Sequence, residues 1–592
     1  MLKGTVDCPY PSMGDPAWQQ LPGDVRRDLL KTAERYRTMP YPMLNATQFM
    51  AFVRDGSRKA YETPYFFRRT KLIAAFLGCC AAGNDADVDQ VIDGLWCICE
   101  ESSWVISAHN GSSHEGMRPA KERPLPDVEN PYVDLFAAQT AMILSFIVRM
   151  MGERLDAVAP VVRRRVELEI RRRIIVPFMT RDDYWWMGFI RRDLCNWTPW
   201  IVSNVMLTAR LMVNDRVYLA ELLERGCRML DRWIAVLPED GGCDEGAGYW
   251  NMAGGALLDC LELLEQVTDG QMTFWNDAKL RGIVSFPARV QLENGWFVNF
   301  ADCDARPYIS GERLQYAGER LNDPRLIAMG MQLRREASWQ LNDTPQLWRL
   351  LNELFHAHAD VAEEKLPPRD VYLPDLQVRV LEKAHSILIA KGGHNGESHN
   401  HNDVGAFILC MNGEPCVVDA GNMVYTAKTF SDRRYELWNI RSRNHNVPLI
   451  GGCEQKDGAQ YRAEHAEGTA EGMNISFAGA YPAQAEVQTC DRGLALDEAG
   501  TLTLHDVIAC GHEAPVTWVF MLREQPVIGS CEVTSGPLTM TMPEGMTAAC
   551  EEIVIDDARM AKNYPGSLWR LTCTDAAAKA HEATFIFRRN EG

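Results

Sequence analysis

Hydrophobic spacing changes character once along this chain, near Lys365-Leu366-Pro367-Pro368-Arg369, and that change commits it to two unlike parts. Before it, apolar residues recur every three or four positions. Leu219, Leu222, Leu223, Leu230 and Ile234 fall on one face of a helix over 217–237, and Leu257, Leu258, Leu261 and Leu264 repeat the pattern over 255–265. Further helices are expected around 20–37, 65–82, 86–102, 134–152, 160–175 and 325–357. After the change, short β-rich runs at 378–381, 386–390, 517–522 and 583–587 alternate with Gly, Pro and Asn turns. A chain of 592 residues exceeds what one core supports. Many consecutive helices suggest stacked helical hairpins rather than a four-helix bundle, and the second pattern suggests an antiparallel sandwich. The expectation is a multidomain α + β protein, helical over 1–365 and a β-sandwich over 370–592.

Composition narrows the function classes. An apolar content of 46% and a charged content of 24% fit a soluble globular enzyme. A net charge of −19 opposes a general nucleic-acid or anionic-membrane binder. Local basic pairs could still take an anionic small ligand, and Arg191-Arg192, Arg433-Arg434 and Arg441/Arg443 are the candidates; each alone reads equally as solvated surface. No apolar run reaches membrane-spanning length, because Leu135 to Val148 is broken by Gln139, Thr140 and Ser145 and stops at Arg149. The first thirty residues lack the apolar core of a secretory signal. Eighteen scattered cysteines, several within apolar segments, read as reduced thiols. A cytoplasmic location is expected, or a periplasmic or secreted one if a leader has been trimmed.

Chemistry concentrates in Ser398-His399-Asn400-His401-Asn402-Asp403, Val417-Val418-Asp419-Ala420-Gly421 and Asn444-His445-Asn446, which hold three of the thirteen histidines. Apolar runs 406–411 and 414–419 flank Asn412-Gly413, a hairpin signal, and folding there sets Asp419 opposite Ala406, near where His401 enters. Two imidazoles and a carboxylate at one end of a hairpin suit a metal with three protein ligands. The competing reading is polar strand surface.

Two loops of the helical half look unlike helix packing. Asp183 to Trp200 holds four tryptophans with Arg and Asn between them, a mixture suited to sugar rings, although most of these indoles read as core fillers. Gly241-Gly242-Cys243-Asp244-Glu245-Gly246-Ala247-Gly248-Tyr249-Trp250 lets backbone approach a ligand closely and presents Tyr249.

Taken together, Asn196-Trp197, the Asp244 to Trp250 run, and the His399 block with Asp419, Tyr425 and His445 resemble the heparinase II/III-type polysaccharide lyases, a group that includes alginate and glycosaminoglycan lyases. The resemblance spans both halves in order, the histidine block being its most specific part. It implies an incomplete (α/α) toroid followed by an antiparallel β-sandwich, and β-elimination across a 4-linked uronic acid. It further implies that Asn196 neutralises the uronate carboxylate, that Tyr249 protonates the departing O4 and serves as base, and that His399 lines the site. His401, Asp419 and His445 would hold a divalent metal, zinc first, with Mn2+ or Ca2+ as alternatives. Substrate contacts are expected from Trp197, Arg192, Glu245, Tyr425, Arg441 and His109. Many relatives carry Asn-His where this chain has Asn196-Trp197. Without that histidine Tyr249 would act as both base and acid, which favours substrates whose H5 and O4 leave from one face, such as glucuronate or mannuronate.

The implied partner is an acidic oligo- or polysaccharide, with no nucleic acid or membrane, and with a homodimer as the candidate assembly. Two other readings compete. A toroid glycoside hydrolase needs two carboxyl groups flanking the bond, and the adjacent Asp244 and Glu245 are poorly spaced for that. A catalytically degenerate glycan-binding protein is kept open by Trp197.

Overall fold

The computed structural model describes residues 2–4, 6–111, 122–336, 341, 345–358, 366–426, 428–429 and 431–590. The chain forms two compact units: Met1–Leu237 with Asn251–Asp277 and Ser310–Glu363, and Pro238–Trp250 with Ala278–Ile309 and Glu364–Gly592. The glycine-rich segment and residues 278–309 therefore belong with the sheet, although a cut at residue 365 assigns them to the helical part; residue 365 itself lies outside the described residues. Periodicity cannot reveal this, because Ala278–Val290 is itself a helix. Its attachment is chemical. A Cβ at Gly241 would lie 2.3 Å from the Gly282 carbonyl carbon, so only glycine permits the approach. Trp250 Nε1 donates to the Ile283 carbonyl (3.1 Å), and the Asp240 carboxylate accepts from the Asp375 amide (2.9 Å).

In the first unit two kinds of helix alternate. Gly23–Arg37 and Pro160–Ile170 bury a narrow apolar stripe, whereas Lys59–Ala82, Leu135–Val158, Trp197–Met212 and Gly254–Val267 are buried almost all round. Helices that are apolar on every side must be enclosed by others, and the alternation gives the inner and outer layers of an (α/α) toroid. Leu135–Val158 is long and apolar enough to cross a membrane, which corrects the shorter run expected from sequence; 83% of its apolar window is buried within the unit. Its polar side chains donate within the unit, Gln139 Nε2 to the Pro345 carbonyl, Thr140 to Phe136 and Ser145 to Ala141. Arg149 turns outward to Asp7 (3.2 Å) and does not end the helix.

The second unit is built on an antiparallel meander of Asp370–Leu373, Val378–Lys383, Ser386–Lys391, Phe407–Met411 and Glu414–Val417. It continues into the long paired strands Leu502–Leu522 and Ser567–Arg589, whose register shifts between Ala509 and Val516. Such irregularities let one strand serve two layers. Between the layers lie Leu388, Phe407, Met473, Leu504, Trp518, Phe520 and Phe585. The hairpin turns at Asn412 (φ 52°) and Gly413 (φ 78°), the left-handed pair a two-residue turn demands. A bulge pairs Leu409 with Val417, one residue beyond simple folding, and the ladder ends there, two residues short of Asp419.

One buried ion pair ties this core to the functional loops. Arg492 holds Asp506 bidentately (2.9 and 2.7 Å) and donates to the carbonyls of Gly405 (2.7 Å) and Asn446 (2.8 Å), which follow His401 and His445. Removing one partner of a buried pair strands the other's charge, so Arg492→Ala should cost ~3–5 kcal/mol of unfolding free energy. Denaturant midpoints with unchanged slopes would show this, and a loss under ~1 kcal/mol would contradict the role given to Arg492.

Candidate functional site

The glycine-rich loop positions Tyr249 through its backbone. Gly246 has φ +83°, and a Cβ there would lie 2.7 Å from the Cys303 Cβ; the Gly248 amide points at Cys303 Sγ (3.3 Å). Tyr249 follows within the 3₁₀ turn Ala247–Met252, half-buried. Its hydroxyl is hydrogen-bonded to that of Tyr425, and its ring lies against His399, centroids 4.9 Å apart. Tyr425 OH in turn reaches His399 Nδ1 (3.3 Å).

His399 stands at φ +56°, a left-handed conformation uncommon outside glycine. Arg434 holds it there, its Nη2 donating to the carbonyls of His399 (2.8 Å) and Asn400 (3.0 Å). The same nitrogen reaches Asp302 Oδ1 (2.9 Å). Asp302 is the hub of the site: its buried carboxylate also accepts from His399 Nδ1 (2.8 Å) and His401 Nε2 (3.2 Å). Burial would raise the Asp302 pKa, but the two imidazoles and Arg434 overcome it and hold the carboxyl well below the usual range. Burial likewise lowers the His399 pKa, yet the Asp302 hydrogen bond and the Glu245 charge outweigh it, and the net shift is upward. Burial pushes the buried Glu245 carboxyl up to about 7, with Asp244 and Asp302 adding to the rise and His399 opposing it. Both tyrosines are raised above the ordinary phenol value, by burial first and then by neighbouring negative charge.

His401, Asp419 and His445 are fully buried and offer ligand atoms within 4.8 Å of one another. His445 Nδ1 lies 2.8 Å from Asp419 Oδ2, and Asp419 Oδ1 accepts from the Gly421 amide (2.8 Å). His401 Nδ1 and His445 Nε2 are buried with no partner. Orphaned imidazole nitrogens beside a carboxylate fit a divalent cation with one position left for a further ligand. Burial holds His401 below its ordinary pKa, in the neutral form that metal binding requires.

The other expected site residues lie in the first unit, apart from Arg441. Asn196 directly precedes the helix Trp197–Met212, and its carbonyl accepts from the Trp200 amide. Trp197 is buried against His109 (centroids 4.7 Å) and Trp185 (5.1 Å), so its ring packs the loop and offers little face to a sugar. His109 is buried, with Nδ1 on Asp134 (2.8 Å), whose other oxygen caps Leu135–Val158 at the Ala137 amide. Arg192 is exposed. Arg441 pairs with Glu454, which would compete with a substrate anion. Asp302, and the Asp304–Arg559 ion pair whose guanidinium lies over the Tyr425 ring, are not legible in the sequence. Asp302 and Asp304 sit in the apparently helical half, and Arg559 lies far from any motif.

Residues 366–590 match the family model described as Heparinase II/III-like, C-terminal. Among curated proteins none matches the chain by sequence. Solved structures share its fold over nearly the whole length. A crystal structure of heparinase III is 12% identical with a TM-score of 0.62, covering 98% of this chain and 94% of that one. A heparan sulfate lyase mutant from Pedobacter heparinus is 12% identical with a TM-score of 0.58, covering 96% and 88%. The Streptomyces coelicolor A3 chondroitin AC lyase, in complex with chondroitin sulphate, is 13% identical with a TM-score of 0.54, covering 98% and 80%. At these identities the likeness establishes the toroid-plus-sandwich architecture.

Proposed function

We propose that this chain, whose residues 366–590 form a heparinase II/III-like C-terminal domain, is a polysaccharide lyase that cleaves 4-linked uronate glycans by β-elimination. The observation that carries the reading is the hydrogen-bonded Tyr249–Tyr425 pair with the His399 ring fixed beside it by Asp302. Glycosaminoglycans such as hyaluronan, chondroitin or heparan sulfate are the first substrate class, and alginate the second.

A C5–H beside an ionised carboxylate is a very weak acid, so donors aimed at the developing enolate are the main requirement. Asn196 is the amide that the resemblance offers for this carboxylate. Tyr249, as tyrosinate, takes the C5 proton; the C5–H electron pair becomes the C4=C5 double bond, and the C4–O4 bond breaks with its pair on O4. The proton now on Tyr249 passes to O4 and regenerates the tyrosinate. Tyr425 donates to the Tyr249 oxygen while it carries charge. His399, fixed by Asp302, presents a donor beside both rings. Asn196→Ala should lower kcat ~10²–10³-fold, as loss of one oxyanion donor does elsewhere, and a loss under threefold would remove Asn196 from the mechanism.

His401, Asp419 and His445 would hold the metal, and two imidazoles with a carboxylate favour zinc over Mn2+ or Ca2+. A bound metal there would tie the loop after Asp419 to His445. Purified protein should carry about one zinc per chain, and chelation should lower Tm. Unchanged Tm with no metal found would refute the site. The unpaired cysteines suit a reducing compartment, in line with a cytoplasmic location.

The test is a panel of defined uronate oligomers followed by ultraviolet absorbance of the unsaturated product. Glucuronate or mannuronate oligomers should be cleaved and iduronate- or guluronate-only oligomers poorly. Efficient cleavage of the latter would refute Tyr249 as sole base.

A further inference from the structure

We propose that Arg559 is a positioning residue for the elimination, the fixed cation that stabilises the tyrosinate formed on the Tyr249–Tyr425 pair. This rests on the lyase reading above. A phenol serves as base near neutrality only when a cation favours its anion. In the Arg-rich loops Arg191 pairs with Asp193, Arg433 with Glu436, Arg441 and Arg443 with Glu454, and Arg434 with Asp302.

Arg559 comes from an unrelated stretch, and its guanidinium carbon sits 5.1 Å from the centre of the Tyr425 ring. Three features fix it. Nε and Nη2 form a two-pronged contact with the Asp304 carboxylate (2.8 and 3.0 Å), the fork geometry that suits Arg. Asp304 lies two residues from Asp302, so one loop holds His399 with one carboxylate and Arg559 with the next. Asp557 accepts from the amides of Arg559 (2.9 Å) and Val424 (3.0 Å), which ties the backbone of Arg559 to the residue before Tyr425.

Among the described residues, the groups facing the tyrosines are otherwise neutral or negative, apart from His399. Burial opposes ionisation of Tyr249 most, followed by the Tyr425 hydroxyl, Glu245 and Asp302. At Tyr425 burial and Asp302 oppose it, while the Tyr249 hydrogen bond and Arg559 favour it. Asp304 offsets part of the Arg559 charge and Asp557 lies on its backbone side; neither supplies a cation. Removing Arg559 therefore raises the proton affinity of the pair, and less tyrosinate is present at any pH below its midpoint.

The experiment is the pH profile of unsaturated-product formation by the full chain and by Arg559→Gln and Arg559→Lys. Arg559→Gln should lose ~10-fold or more in kcat at pH 7, with the rate midpoint displaced upward by ~1 pH unit. KM should stay within about twofold, because the residue acts on the base and not on substrate binding. Arg559→Lys keeps the charge without the fork and should recover much of the profile. A uniform loss at every pH in both variants would mean that Arg559 only packs, and would overturn the inference while leaving the lyase reading intact. An unchanged profile in Arg559→Gln would do the same. A wild-type chain that forms no unsaturated product overturns both.

Discussion

Tyr249→Phe should abolish elimination, lowering kcat by at least ~10³-fold while KM and Tm stay near wild type. One oxygen carries both proton transfers in the proposed reaction, and positioned acid–base groups contribute ~10²–10⁴-fold each way. The substitution removes little else. Phe keeps the ring against His399, and the Tyr425 hydroxyl remains 3.3 Å from His399 Nδ1. Steady-state kinetics with thermal unfolding of the same preparation separates chemistry from folding. Residual activity within tenfold of wild type would place the base elsewhere, with His399 the next candidate.

Asp302→Asn should damage stability and activity together. The carboxylate receives His399, His401 and Arg434, and its side chain is 1% exposed. An amide of the same shape cannot balance those donors, and stranding buried charge costs ~3–5 kcal/mol. Because the folded Asp302 pKa is depressed, its stabilisation is complete above the unfolded value of ~3.9 and fades as pH falls through the folded one. The variant should therefore lose stability at neutral pH and show a shallower decline in acid. It should also bind zinc more weakly, since His401 loses the carboxylate that orients it. Equal stability of the two proteins at pH 7 would refute the hub role.

Much of this was readable because local chemistry enforced it. The helix-period face of Leu219 to Ile234 became the helix Arg216–Val236, and Asn412-Gly413 became a two-residue turn because both positions need positive φ. The histidine block was legible because polar residues that interrupt apolar strands need a reason, and the structure brings His401, Asp419 and His445 together. Register was less legible: one bulge shifts the pairing to Leu409 with Val417, and the ladder stops before it reaches Asp419. Contacts distant in sequence were not legible at all. Asp302 looks like any loop aspartate until folding sets it 2.8 Å from His399, 97 residues away. Arg559 meets Asp304 across 255 residues and Arg434 meets Asp302 across 132, while Arg433 and Arg441 are occupied by carboxylates nearby in sequence.

The most direct measurement of the central claim is the time course of ultraviolet absorbance when the chain is incubated with hyaluronan, chondroitin, heparan sulfate and alginate, beside Tyr249→Phe. The account predicts absorbance from an unsaturated uronate that rises with the wild type on at least one of these polymers and stays flat with the variant. New reducing ends without that chromophore, or equal absorbance from both proteins, would contradict it.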